Sequence, residues 1–154
     1  MNHWLLKTEP ETFSVADLAR APRKTTFWDG VRNYQARNSL RDSLKVADEA
    51  FIYHSSCDIP GIVGIARVVR EGYPDHTAFD RKHAHYDAGS ERAKPRWYMV
   101  DVQLVRPLKR IITLEELRAH AKRELRALVL LQKGSRLSVQ PVGADEWRFI
   151  LSLE

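Results

Sequence analysis

The chain is short of the residues that would place it in several common classes. A single cysteine, Cys57, in 154 residues excludes an internal disulfide and a cysteine-rich zinc site, and it suits a reducing compartment. No apolar run approaches the roughly 20 residues of a membrane span, and Trp4-Leu5-Leu6 gives way at once to Lys7 and Glu9. A soluble cytoplasmic protein with no membrane contact is expected. Glycine is scarce, at seven residues, and no strand-to-helix junction carries a glycine-rich phosphate loop or dinucleotide fingerprint. No repeat or low-complexity linker interrupts the chain, so residues 1–154 are expected to form one domain, for which 44% hydrophobic content supplies a core. Acidic residues are the minority charge. Lysine and arginine outnumber them by 25 to 20, a formal charge of +5 that leans modestly towards anionic partners such as nucleic acid.

What is present is concentrated between Phe27 and Asn38. The indole of Trp28, the turn signal Asp29-Gly30, the amides of Asn33, Gln35 and Asn38 and the guanidinium groups of Arg32 and Arg37 fall within a dozen residues. A π-face, amide donors and acceptors, and cations are the three ingredients for holding a nucleobase and its backbone. Trp28 is also open to a second reading as a core residue, since tryptophan in a small protein usually packs.

The remaining elements follow from local chemistry. His3 to Lys7 reads as a strand ended by Thr8-Glu9-Pro10, and Ser14 with Asp17 makes a capping box for a short helix that Ala21-Pro22 closes. Ala36, Leu40 and Leu44 form one buried helical stripe, with Arg37, Arg41 and Lys45 as a cationic stripe beside it. Ala50–Tyr53 is a buried strand that delivers His54, Ser55 and Ser56, and Ile62–Val69 a second, in which Gly64 marks a bulge or close approach. Glu71 to Pro95 lacks periodicity and reads as a long functional or mobile loop. Trp97–Val105 is a strand, Thr113 with Glu116 opens a helix through about Leu131, and Leu137–Val142 and Trp147–Leu153 are two closing strands around Gly143-Ala144-Asp145. The fold class is α+β, a mostly antiparallel curved sheet or small barrel with peripheral helices.

Catalytic and metal readings are weaker. His54 stands beside Ser55, Ser56 and Cys57, but neighbours on an extended chain point to opposite faces and rarely make a catalytic pair. His76, His83 and His85 with Asp75, Asp80 and Asp87 match no specific zinc spacing and read as a solvated loop. Glu9 and Asp29 fit a strand exit and a turn better than acid–base chemistry. No enzyme activity, metal or cofactor is expected. The alternative is a nucleotide-directed hydrolase or small-molecule module using the same pocket.

Six blocks in order, from Trp4-Leu5-Leu6-Lys7-Thr8-Glu9-Pro10 through Trp28-Asp29-Gly30-Val31-Arg32-Asn33-Tyr34-Gln35-Ala36-Arg37-Asn38, Phe51 to Cys57, Tyr73-Pro74-Asp75 and Pro95 to Val102, to Arg136 to Val142, resemble the EVE domain family. The resemblance implies a PUA-like curved barrel related to YTH domains, and a non-catalytic pocket for a modified base, 5-methylcytosine and its oxidised forms among the suggested ligands, in DNA or RNA. It implies that Lys7-Thr8 stands for the Lys-Ser pair of the YTH relatives, Trp28 for their first cage tryptophan and Ser55 for the serine ending their central strand. Phe79, Tyr86 or Trp97 is left as the second wall. Asn33, Ser55 and the backbone near Thr8 would read the base edge, and Arg32, Arg37 and Arg41 would meet phosphate, in a protein expected to be a monomer.

Overall fold

The computed structural model describes residues 1–154. Strand β1 (His3–Thr8) pairs in parallel with β3 (Glu49–His54) on one side and antiparallel with the edge strand β6 (Val139–Val142) on the other. From β3 the sheet continues antiparallel through the long β4 (Gly61–Pro74) and β5 (Tyr98–Thr113) to the short β2 (Thr25–Phe27). The order is β2-β5-β4-β3-β1-β6, a six-stranded mixed sheet with α1 (Val15–Arg20), α2 (Tyr34–Asn38), α3 (Leu114–Arg118) and α4 (Ala144–Ser152) around it, an α+β fold. No helix is long and apolar enough to cross a membrane.

Both faces of the sheet are covered, and this explains the near-continuous apolar runs in β1 and β3. Trp4, Leu6, Ala50 and Ile52 belong to one core with Trp28, Leu40 and Val100, while Leu5, Phe51 and Tyr53 belong to the other with Trp147, Ile150 and Leu117. Alternation along each strand therefore feeds two cores. Register shifts between Ile62 and Gly64 mark a bulge in β4, and a Cβ added at Gly64 would lie 2.9 Å from Val15 Cγ2. The expected glycine serves both purposes: it bends the strand and admits α1.

Several expected boundaries move. Trp147–Leu153 is not a strand but most of α4; Gly143-Ala144-Asp145 is its entry, where the Gly143 N–H donates to Glu146 Oε1 at 2.8 Å. Buried Trp147 and Ile150 at three-residue spacing fit a helix against one core, and the acidic first turn suits its dipole. The helix expected from Thr113 to Leu131 stops at Arg118 and gives way to turns and the 3-10 turn Val129–Leu131. Arg118, Lys122 and Arg126 would stand at four-residue spacing, like charges that oppose a continuous helix. Glu116, moreover, turns its carboxylate to Arg110 rather than back to the cap. The 3-10 turn Pro22–Lys24 leads into β2, a strand that was not expected. The long loop begins later than expected, because β4 runs on through Pro74, and β5 continues past Val105 to Thr113. The stripe of Ala36, Leu40 and Leu44 is buried, with α2 widening into a π-helical turn at Ser39–Ser43.

Candidate functional site

A cavity of about 700 Å³ opens where β1 ends, between Lys7 and Thr8, the turn after β2 and the loop at His83–His85. Trp28 follows β2 directly; its backbone N–H donates to Val100 O at 2.7 Å, which carries the β2–β5 pairing one residue further. The indole is buried in the core and also lines the cavity, with Phe13 edge-on at 6.4 Å. Its two sequence readings are therefore compatible.

The turn after Trp28 is tied to the distant loop through Asp75. Buried Asp75 accepts from the Gly30 N–H at 2.9 Å and from Arg32 Nη1 at 3.0 Å through Oδ2, and from the Thr77 N–H and hydroxyl through Oδ1. Burial pushes this carboxyl up, but the bonds from Thr77, Gly30 and Arg32 outweigh it and hold the group below the usual carboxylate range. Arg32 completes the tie by donating to His85 O at 2.6 Å. Gly30 has φ +79°, and a Cβ there would lie 2.4 Å from His85 Cε1. Only glycine fits both conditions.

Asp29, His83 and His85 gather at the cavity wall. Asp29 Oδ2 lies 3.2 Å from His85 Nδ1 and 3.8 Å from His83 Nε2. The three ligand atoms are close enough for a cation. Yet His83 Nδ1 accepts the His85 N–H at 3.0 Å, so a metal on Nε2 would force a proton onto Nδ1 against that N–H. The cluster is built as a hydrogen-bond relay, and its donor set does not fit a metal.

Lys7, Thr8, Trp28 and Arg32 of the expected residues line the cavity. Burial lowers the Lys7 ammonium below its usual value, and no carboxylate lies within salt-bridge distance of it, while Thr8 donates to Phe13 O at 2.7 Å. Asn33, Ser55, Phe79, Tyr86 and Trp97 lie outside the lining, each for a local reason. Asn33 caps α2, accepting the Ala36 N–H at 3.0 Å. The Ser55 N–H extends the β1–β3 pairing by donating to Thr8 O, and neighbouring His54, lowered by burial, accepts the Val15 N–H. Trp97 is buried, stacked on Tyr34 at 4.9 Å, and donates to Asp87 Oδ2, and Phe79 lies under Arg92. Tyr86 is exposed.

The three arginines differ too. Arg32 sits inside the Asp75 network rather than on the outer face, Arg37 donates to Arg96 O at 2.7 Å, and exposed Arg41 pairs with Asp42. Phe13, Phe27, His83, His85 and Ser138 also line the cavity and were not among the expected site residues. Phe27 had been named only as the start of the central stretch, and His83 and His85 only as loop histidines, because nothing local brings that loop to Trp28.

The chain is similar to known proteins over nearly its whole length. The EVE domain model matches residues 2–153. Thymocyte nuclear protein 1 of Gallus gallus is 50% identical over 99% of this chain and 68% of its own length, and that of Mus musculus 49% over 99% and 74%. The structure of human THYN1 protein in complex with 5-methylcytosine-containing DNA superposes with a TM-score of 0.95 at 47% identity, covering 99% of this chain and 97% of that one. A Pseudomonas syringae protein superposes with a TM-score of 0.92 at 46% identity, covering 98% of each chain.

Proposed function

The chain belongs to the EVE domain family, and from that premise we propose that it binds nucleic acid bearing a modified base, held beside Trp28 without catalysis. The observation that carries the reading is an indole anchored in the core yet lining a cavity of about 700 Å³, in a chain similar to a protein seen with 5-methylcytosine DNA. We take methylated cytosine in DNA as the first ligand, with its oxidised forms and other modified bases in DNA or RNA as further candidates. Lys7 lines the cavity as well, with its half-buried ammonium 6.0 Å from the centre of the Tyr53 ring. Arg37 and Arg41 would meet phosphate outside the cavity, and Arg32 acts from within by holding the turn.

The bulged pairing of β4 with β5 supports reading the sheet as the curved PUA-like barrel. A monomer in the cytoplasm completes the proposal. No observation favours a hydrolase, since His54 and Ser55 support the backbone instead of facing each other as base and nucleophile.

Stacking contributes about 1–3 kcal/mol per base, and a buried methyl adds about 0.8 kcal/mol, roughly a four-fold preference. The test is anisotropy of labelled oligonucleotides, single- and double-stranded, with and without one 5-methylcytosine, at two salt concentrations. Because Trp28 is also core, Trp28→Leu is the suitable variant: it keeps apolar bulk and removes the π-face. Loss of the modified-base preference in a folded Trp28→Leu protein is expected. Unchanged preference would refute the pocket assignment.

A further inference from the structure

We infer that His85 is a specificity-determining residue that selects a pyrimidine carrying a 4-amino group over one carrying a 4-keto oxygen. The inference rests on the base-binding reading above and adds to it which edge of the base is chosen.

Three contacts immobilise His85 from different directions. Its N–H donates to His83 Nδ1 at 3.0 Å, its carbonyl accepts from Arg32 Nη2 at 2.6 Å, and its ring lies against Gly30 so tightly that no Cβ fits between. The fourth contact sets its protonation pattern. Nδ1 stands 3.2 Å from Asp29 Oδ2, and a carboxylate only accepts, so the ring proton belongs on Nδ1. In the neutral ring Nε2 is then an acceptor. It has no hydrogen-bond partner in the protein, and the residue lines the cavity.

An acceptor fixed in this way attracts an N–H and repels a carbonyl oxygen. Cytosine and its 5-methyl form present the N4 amine where thymine presents O4. The 5-methylcytosine–thymine pair is therefore the discriminating comparison: both carry the methyl group and both stack, so those contributions cancel.

The experiment measures binding of two oligonucleotides that differ only in one central 5-methylcytosine or thymine, to the wild type, His85→Phe, His85→Lys and Trp28→Leu. His85→Phe keeps a flat ring and removes the acceptor, and is expected to lower the 5-methylcytosine-to-thymine affinity ratio about tenfold, the scale of one hydrogen bond. His85→Lys offers donors only and is expected to turn the ratio towards thymine. Either variant decides the matter if the other fails to fold. An unchanged ratio in these variants, with base dependence still abolished by Trp28→Leu, would overturn the role of His85 and leave the pocket standing. A wild type indifferent to the base, and equally so in Trp28→Leu, would overturn both.

Discussion

Trp147 and Trp28 are almost equally buried, at 5% and 7% exposure, yet they sit on opposite faces of the sheet in different surroundings. Trp147 stacks on Phe51 at 3.8 Å and 21°, with His3 against it at 4.4 Å. Its π-system is taken up by the protein's own rings. Trp28 meets Phe13 only edge-on, and lines a cavity. Burial alone does not separate a packing tryptophan from a binding one; what separates them is whether the ring faces are already covered.

The comparison breaks most sharply on deletion. Trp147→Ala empties the sealed core and should cost about 3–5 kcal/mol of stability, read by denaturant unfolding, while leaving the base preference of the surviving folded protein intact. Trp28→Leu should reverse that pattern, losing preference at a smaller stability cost. If Trp147→Ala altered preference as strongly as Trp28→Leu, the two faces would not be functionally distinct.

A smaller but more local effect is expected at Gly30. Alanine there must adopt φ near +79° and meet the His85 ring, so Gly30→Ala should cost about 1–2 kcal/mol and push the loop away from the turn. Binding of the 5-methylcytosine oligonucleotide should fall more than the stability loss alone explains. Full affinity in a Gly30→Ala protein would show that the His83–His85 wall plays no part in the site.

Acid should loosen the open face through Asp75. Its folded pKa lies below the unfolded value, so its contribution to stability is complete above about pH 4–5 and is lost as pH falls through the depressed folded value. Asp48 adds a component of the same sign, since burial raises its carboxyl but bonds from the Lys45 N–H, the Trp4 indole and the Asn2 N–H bring it down further. Asp75→Asn should therefore flatten, but not abolish, the acid limb of a stability–pH curve. An identical limb in Asp75→Asn would place the acid sensitivity elsewhere.

The same contrast explains what could be read from the chain before its fold was known. The short apolar strands β1 and β3, the Ser14–Asp17 capping box and the 36-40-44 stripe are local signals, and all three appear in the structure. Trp28 could be picked out because an indole at a turn, beside amides and arginines, carries its chemistry with it, whereas Lys7 and Thr8 were reached only through the resemblance to the family. Trp147 was misread as a strand residue because a short apolar run has no period that tells helix from strand. The wall opposite the turn was invisible for another reason. His85 reaches Gly30 across a sequence separation of 55, and Asp75 reaches Arg32 across one of 43, so neither contact has a local signature. Arg32 illustrates the cost: beside Asn33 it resembles a phosphate contact, but a buried carboxylate contributed by a distant loop draws it inward.

The smallest expected effect is at Arg41, on the outer helical face. Its guanidinium is exposed and makes two bonds to Asp42, at 2.9 and 2.7 Å, with the ring of Tyr98 6.0 Å below. An exposed pair of this kind contributes little to folding, so Arg41→Ala should leave the unfolding midpoint essentially unchanged. To meet phosphate the arginine must leave Asp42, which limits what it can add to binding. Arg41→Ala should weaken modified and unmodified oligonucleotides by the same factor and lower the slope of log affinity against log salt by about one. Asp42→Ala should do the opposite, strengthening every sequence alike by freeing the guanidinium. A change in base preference from either substitution would mean that the outer cationic face and the cavity act as one surface, and the division between phosphate attraction outside and base selection inside would fail.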